Sequence, residues 1–112
     1  MASSLRLSLT IALTIALASP AFAKGDVRRG LKIAQRNCAP CHAVGRTGDS
    51  ANPKSPPFRI LAQRYPLSEL EETMGEGMMV GHEGPEMPMF EFRPEQIEDF
   101  IAYLGSIQVK KR

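Results

Sequence analysis

Cys38-Ala39-Pro40-Cys41-His42 gathers the most reactive side chains of this 112-residue chain into five consecutive positions. The segment reads C-x-x-C-H, the spacing by which a haem is fixed covalently to a polypeptide. Two thiols at that spacing can add across the two vinyl groups of one porphyrin. The histidine that follows can then offer an imidazole nitrogen to the iron. Cys38 and Cys41 are the only cysteines in the sequence, so neither has another partner in the chain. A disulfide between them would close a tiny loop and stabilise little, since the gain grows with loop length. A thioredoxin-like redox pair belongs beside a βαβ pattern, which the sequence lacks. A structural zinc site needs four ligands at characteristic spacings; the soft donors here are the two cysteines, His42 and the remote His82. The chemistry that fits is covalent attachment of haem.

Iron held by His42 on one side calls for a donor on the other. Residues 78–92 are irregular by composition, with Gly81, Gly84, Pro85 and Pro88. Thioethers are available at Met74, Met78, Met79, Met87 and Met89, and an imidazole at His82. Methionine is a common core filler, and Met74, Met78 and Met79 are assigned that role. Met87 lies between Pro85 and Pro88, a stiff and non-helical setting that can hold a weak ligand, and is the preferred sixth ligand. Met89, a bis-histidine site through His82, and an open position are the alternatives.

The elements that must position these groups are helical. Val27, Leu31, Ala34 and Cys38 fall at i, i+4, i+7 and i+11, an amphipathic helix with Asp26 as N-cap and cations on the other face. Gly30 costs such a helix up to about 1 kcal/mol relative to alanine, which points to close approach of another helix. From Ala43 to Pro57, Gly45, Gly48, Asp49, Asn52, Pro53, Pro56 and Pro57 make a loop. That loop is expected to wrap the histidine side and to offer a carbonyl near Pro56 or Pro57 to the His42 ring N–H. Phe58, Leu61 and Tyr65 form a short apolar patch at i, i+3 and i+7. A second helix follows Pro66, with Ser68 as its cap and Glu69, Glu71 and Glu72 near its positive end. Leu67, Leu70 and Met74 are its buried side, and Gly75 and Gly77 end it. A last helix starts at Arg93-Pro94-Glu95-Gln96. Ile97, Phe100, Ile101 and Leu104 form its apolar stripe, with Phe100 and Tyr103 placed to meet the first helix near Gly30.

Met1 to Ala23 has the parts of a secretory signal: Arg6, an apolar run from Leu7 to Ala18, a Ser19-Pro20 break and the small-x-small site Ala21-Phe22-Ala23. The run is short of the ~20 residues of a membrane span. Cleavage after Ala23 leaves Lys24 to Arg112 as one domain, residues 24–112, with no membrane span. So short a chain buries little apolar surface by itself, and a haem at its centre supplies the missing core. The polypeptide without haem is therefore expected to fold poorly. Attachment needs both thiols reduced where oxidising conditions favour disulfides, so dedicated attachment machinery outside the cytoplasm is implied. The net charge of +2 is lopsided. Lys24 to Arg64 holds nine Lys or Arg against Asp26 and Asp49, whereas Tyr65 to Val109 holds ten acids against Arg93. A basic half carrying the redox motif would steer an acidic partner, with Arg28, Arg29, Lys32, Arg46 and Lys54 as candidate docking residues. That half lacks interleaved aromatics, which speaks against nucleic acid. No strand alternation, internal repeat, phosphate-binding glycine loop or nucleophile–base constellation is present.

Over essentially its whole mature region the chain resembles class I c-type cytochromes. The resemblance rests on Gly30 ahead of Cys38-Ala39-Pro40-Cys41-His42, on Met87-Pro88-Met89-Phe90, and on the aromatic Tyr103 of the last helix. It implies an all-α fold, a few helices around one haem c, with the first and last helices crossing. It also implies thioethers at Cys38 and Cys41 and iron ligands at His42 and Met87, the Met-Pro-x-Phe pattern favouring Met87 over Met89. The function implied is that of a monomeric periplasmic one-electron carrier between redox proteins, without catalytic residues. A haem subunit of a periplasmic oxidoreductase complex is the first alternative. The second is a gas-binding or peroxidatic haem protein with an open sixth site.

Overall fold

A computed structural model describes residues 25–77, 87 and 90–110. The proposed signal segment, Met78, Met79, His82 and Met89 lie outside the described residues. Among those described there are three α-helices and one 3₁₀ helix, and no strand. The all-α expectation is met.

Helix α1 spans Val27–Asn37, and the Asp26 carboxylate caps it by accepting from the Arg29 backbone N–H at 2.9 Å. Its inward face is narrower than the apolar periodicity suggests. Gly30 and Ala34 are buried, Leu31 is half-buried, and Val27 is 43% exposed. Small residues make the contact because α3 comes so close. A Cβ at Gly30 would run into the Asp99 carbonyl and stand 2.6 Å from Tyr103 Cβ. Tyr103 meets α1 as expected, and Phe100 packs edge-on against Phe58 with ring centroids 5.7 Å apart.

The 3₁₀ helix, Phe58–Gln63, follows the proline-rich loop and buries Phe58 and Leu61. Helix α2, Leu67–Gly75, begins at Pro66, with no side-chain hydrogen bond at its cap. Ser68 is thus inside the helix instead of capping it: Pro66, at φ −54° and ψ 135°, already stands just before the first helical residue, and a cap two residues later would shorten α2 by two residues. Met74 is its buried residue, and Gly77 leaves it with φ +88°. Helix α3, Pro94–Ile107, opens with proline, and the Gln96 side chain accepts from the Arg93 N–H at 2.9 Å. It is the spine of the core, contributing Ile97, Phe100, Tyr103, Leu104 and Ile107. Its C-terminal end is not met by a cation of its own last turn. The Arg46 guanidinium, from the loop, donates to the Ser106 carbonyl at 2.9 Å instead. Gln108 ties α3 to the 3₁₀ helix, donating to the Phe58 carbonyl at 2.7 Å and accepting from the Ala62 N–H at 2.8 Å.

Candidate functional site

Helix α1 ends by delivering the paired cysteines. Cys38 is its C-cap and still donates its N–H to the Ala34 carbonyl. The chain then folds back, with the Cys41 and His42 N–H groups both donating to the Cys38 carbonyl, at 3.1 and 2.9 Å. This tight turn leaves Cys41 exposed and Cys38 half-buried, and it sends the His42 side chain inward to 7% exposure. Burial pushes the Cys38 thiol up to about 11, with a smaller push from Cys41. It is therefore a neutral thiol at neutral pH. No group of three or more His, Cys, Asp or Glu able to hold a metal ion occurs among the described residues.

The His42 ring is fixed by backbone. Its Nδ1 lies 2.8 Å from the Pro56 carbonyl oxygen. A carbonyl can only accept, so Nδ1 carries the proton, and Nε2 is the nitrogen of the neutral ring that can ligate a metal. A second rung, from the Phe58 N–H to the Ala43 carbonyl at 2.9 Å, holds residues 42–44 against residues 56–58. Proline supplies the accepting carbonyl on a stiff backbone without a donor that itself needs a partner. Phe58 then closes on the imidazole, ring centroids 4.9 Å apart.

His42 and Cys38 open onto a cleft of about 750 Å³, counting its solvent-facing mouth. The 3₁₀ helix gives Phe58 and Leu61, and α2 gives Glu69, Leu70, Thr73 and Met74. Phe100 comes from α3, while Met87, Phe90 and Phe92 come from the segment before it. Phe90 and Phe92 stack on each other, centroids 5.7 Å apart. The walls are mostly aromatic and aliphatic, with one imidazole and two thioethers, Met74 and Met87, among the residues facing the same space. A large flat apolar ring system with a metal at its centre suits that donor set. A polar substrate does not. Cys38, His42 and Met87, singled out from the sequence, all line the cleft; Cys41 is at the surface of the same turn.

Sequence reasoning did not foresee Asp99. Its carboxylate, 7% exposed, accepts from the Asp26 backbone N–H at 2.6 Å and from Arg29 Nε at 2.7 Å and Nη2 at 3.1 Å. The Arg29 hydrogen bonds hold the Asp99 carboxyl below its usual range and Arg29 above its own. Nor was the Tyr103 hydroxyl foreseen, which donates to the Val44 carbonyl. Both join residues far apart in the chain, and neither has a local sequence signature.

Comparison with known proteins agrees with this cleft. The profile of the family described as Cytochrome c matches residues 27–108. Cytochrome c-552 of Bradyrhizobium diazoefficiens is 30% identical over 98 residues, covering 88% of this chain and 90% of the relative. Cytochrome c-553-like of Synechocystis is 32% identical over 84 residues, covering 75% and 71%. Cytochrome c6 of Nostoc is 37% identical over 93 residues, covering 81% and 78%. No solved structure matches the chain significantly. With a match across nearly all of its described length and a cleft built for one flat apolar group, this chain belongs to the cytochrome c family, and its cofactor is a single covalently attached haem c.

Proposed function

We propose that the protein is a one-electron carrier whose haem is bound through thioethers at Cys38 and Cys41 and whose iron is held by His42 and Met87. The haem supplies the ferric/ferrous couple. The chain's own residues do the rest. Pro56, through His42 Nδ1, sets the imidazole's tautomer and orientation and raises its basicity as a ligand. The Met87 thioether favours the ferrous state. Phe58, Leu61, Met74, Phe90, Phe92 and Phe100 line the cleft and would exclude water from a haem held there, so that little solvent would rearrange when its charge changes. The observation that carries this reading is an imidazole oriented by backbone in the same cleft as Cys38 and Met87. Met87 at the cleft wall favours a six-coordinate site over an open one.

In this reading residues 1–23 are an export signal and residues 24–112 the mature carrier, working outside the cytoplasmic membrane after dedicated machinery attaches the haem. Among the described residues no helix is long and apolar enough to cross a membrane. Docking of an acidic redox partner falls to the exposed cations of the basic half, Arg28 and Lys32 on α1 and Lys54 in the loop. Arg29 and Arg46 are also exposed but already engage Asp99 and the Ser106 carbonyl.

Absorption spectra of the exported protein, oxidised and reduced, test ligation and attachment together. The expected result is a low-spin haem with a weak sulfur-to-iron band that Met87→Ala abolishes, and colour that stays with the polypeptide in acid acetone. Pigment lost to acid acetone, or a ferrous form that binds carbon monoxide readily at neutral pH, would overturn the assignment.

A further inference from the structure

Tyr103 sits where three parts of the chain meet. Its Cβ packs on α1 at Gly30, its backbone belongs to α3, and its hydroxyl donates to the Val44 carbonyl in the loop that follows His42. The side chain is 5% exposed, and burial raises the phenol's pKa, so the hydroxyl keeps its proton and remains a donor. Val44 is two residues past His42 and one past Ala43, whose carbonyl accepts the Phe58 N–H and whose own N–H donates to Ser50 Oγ at 2.9 Å. The strip from His42 to Val44 is therefore held on one side by residues 56–58. On the other it is held by a hydroxyl from the last helix.

We infer that Tyr103 is a positioning residue for the haem iron: its hydroxyl anchors the segment after His42 and thereby keeps the His42 N–H to Pro56 carbonyl bond short. The inference rests on His42 being an iron ligand. Its physical basis is leverage. Residues 42–44 are joined to residues 56–58 by the His42 ring N–H on the Pro56 carbonyl and the Phe58 N–H on the Ala43 carbonyl. Gln108 holds the Phe58 side of this pairing to the end of α3, and the Tyr103 hydroxyl, with Arg46 on the Ser106 carbonyl, refers the His42 side to the same helix. Without the hydroxyl the Val44 carbonyl turns to water and the segment after His42 gains freedom. A longer bond to Pro56 makes Nδ1–H a weaker donor to its acceptor and His42 a less basic ligand, which favours ferrous iron.

Tyr103→Phe separates this role from packing, because the ring that rests on Gly30 is kept and only the hydroxyl is lost. The test is spectroelectrochemical titration of the haem-loaded wild type, Tyr103→Phe and Ser106→Ala. The last removes only the side-chain hydrogen bond of the same helical turn, Ser106 Oγ to the Tyr103 carbonyl, and keeps the Ser106 backbone carbonyl that holds Arg46. The expected result for Tyr103→Phe is a shift of about threefold toward ferrous iron, roughly 28 mV upward at 59 mV per tenfold for one electron. Ser106→Ala should titrate with the wild type. Hydrogen exchange at the His42 Nδ1–H of the ferrous protein, followed by NMR, should be faster in Tyr103→Phe alone. An unchanged midpoint together with unchanged exchange in Tyr103→Phe overturns the inference, as does an equal shift in Ser106→Ala. If His42 is not a ligand, the wild-type spectrum lacks the six-coordinate low-spin signature, and that failure belongs to the proposed function instead.

Discussion

At Asp99 a carboxylate almost shut off from solvent receives the Asp26 backbone N–H and the fork of Arg29. A buried charge with its partners removed is costly, and here the partners come from the start of α1. The consequence for pH follows from the sign of the shift. A carboxyl whose folded-state pKa is depressed contributes stability that is fully present above the ordinary value of about 3.9 and is lost as pH falls through the lowered one. Asp99→Asn is therefore expected to lower the urea midpoint of the haem protein at neutral pH, with the gap to wild type narrowing below about pH 4. Urea unfolding followed by circular dichroism at both pH values checks this; a gap that stays constant would show that the carboxylate's charge is not what matters. Asp99 was not legible in the sequence. It is flanked by Glu98 and Phe100 in an acidic stretch, and nothing local distinguishes a carboxylate facing solvent from one facing a helix.

The α1–α3 crossing is where local preference and packing oppose each other. Gly30 weakens α1 as an isolated helix, and alanine there would recover up to about 1 kcal/mol. The added Cβ would meet the Asp99 carbonyl, which is backbone and cannot rotate aside as a side chain could. Overpacking of this kind costs about 1–3 kcal/mol, so the packing effect wins. Gly30→Ala is predicted to destabilise the haem protein by about 1–2 kcal/mol net, measurable as a lower midpoint in thermal or denaturant unfolding. A neutral or stabilising outcome would mean that the helices separate at little cost. The glycine's purpose could be read from its position in an apolar helical face. Its partners could not: Tyr103 stands against Gly30, but nothing in the sequence announced that Phe100 packs on Phe58. Residues three apart on a helix share a broad stripe, and periodicity does not say which neighbour each part of that stripe meets.

Taken as a molecule, the chain arranges its helices around a space that protein does not fill. Among the described residues several of the buried apolar side chains also line the cleft, Phe58, Leu61, Met74 and Phe100 among them. Leu70, Phe90 and Phe92, only half-buried at the cleft wall, gain their cover from the haem that fills it, and each large apolar side chain left exposed forfeits about 1.5–3 kcal/mol. A short chain has little stability beyond that to draw on. The polypeptide expressed without haem attachment is accordingly expected to lose most of its far-UV helical signal and its cooperative thermal transition, both retained by the haem-loaded form. A helical, cooperatively melting apo-form would show that the aliphatic part of the core suffices.

Much of the site was legible in the linear order of residues. The haem-binding pentapeptide, the proline carbonyl awaiting the histidine, the N-cap Asp26 and the three α-helices are all local features, each specified within a few positions by spacing, capping or backbone stiffness. The sequence also favoured Met87 from its setting between prolines, and the structure puts that residue at the cleft wall. What required the tertiary structure was the set of contacts between segments distant in the chain: the Asp99–Arg29 lock, the Tyr103 hydroxyl on the loop behind His42, and Arg46 at the end of α3. Those contacts depend on how helices cross and how closely, a distance set by small residues and satisfied hydrogen bonds on both surfaces at once. No one-dimensional period encodes it.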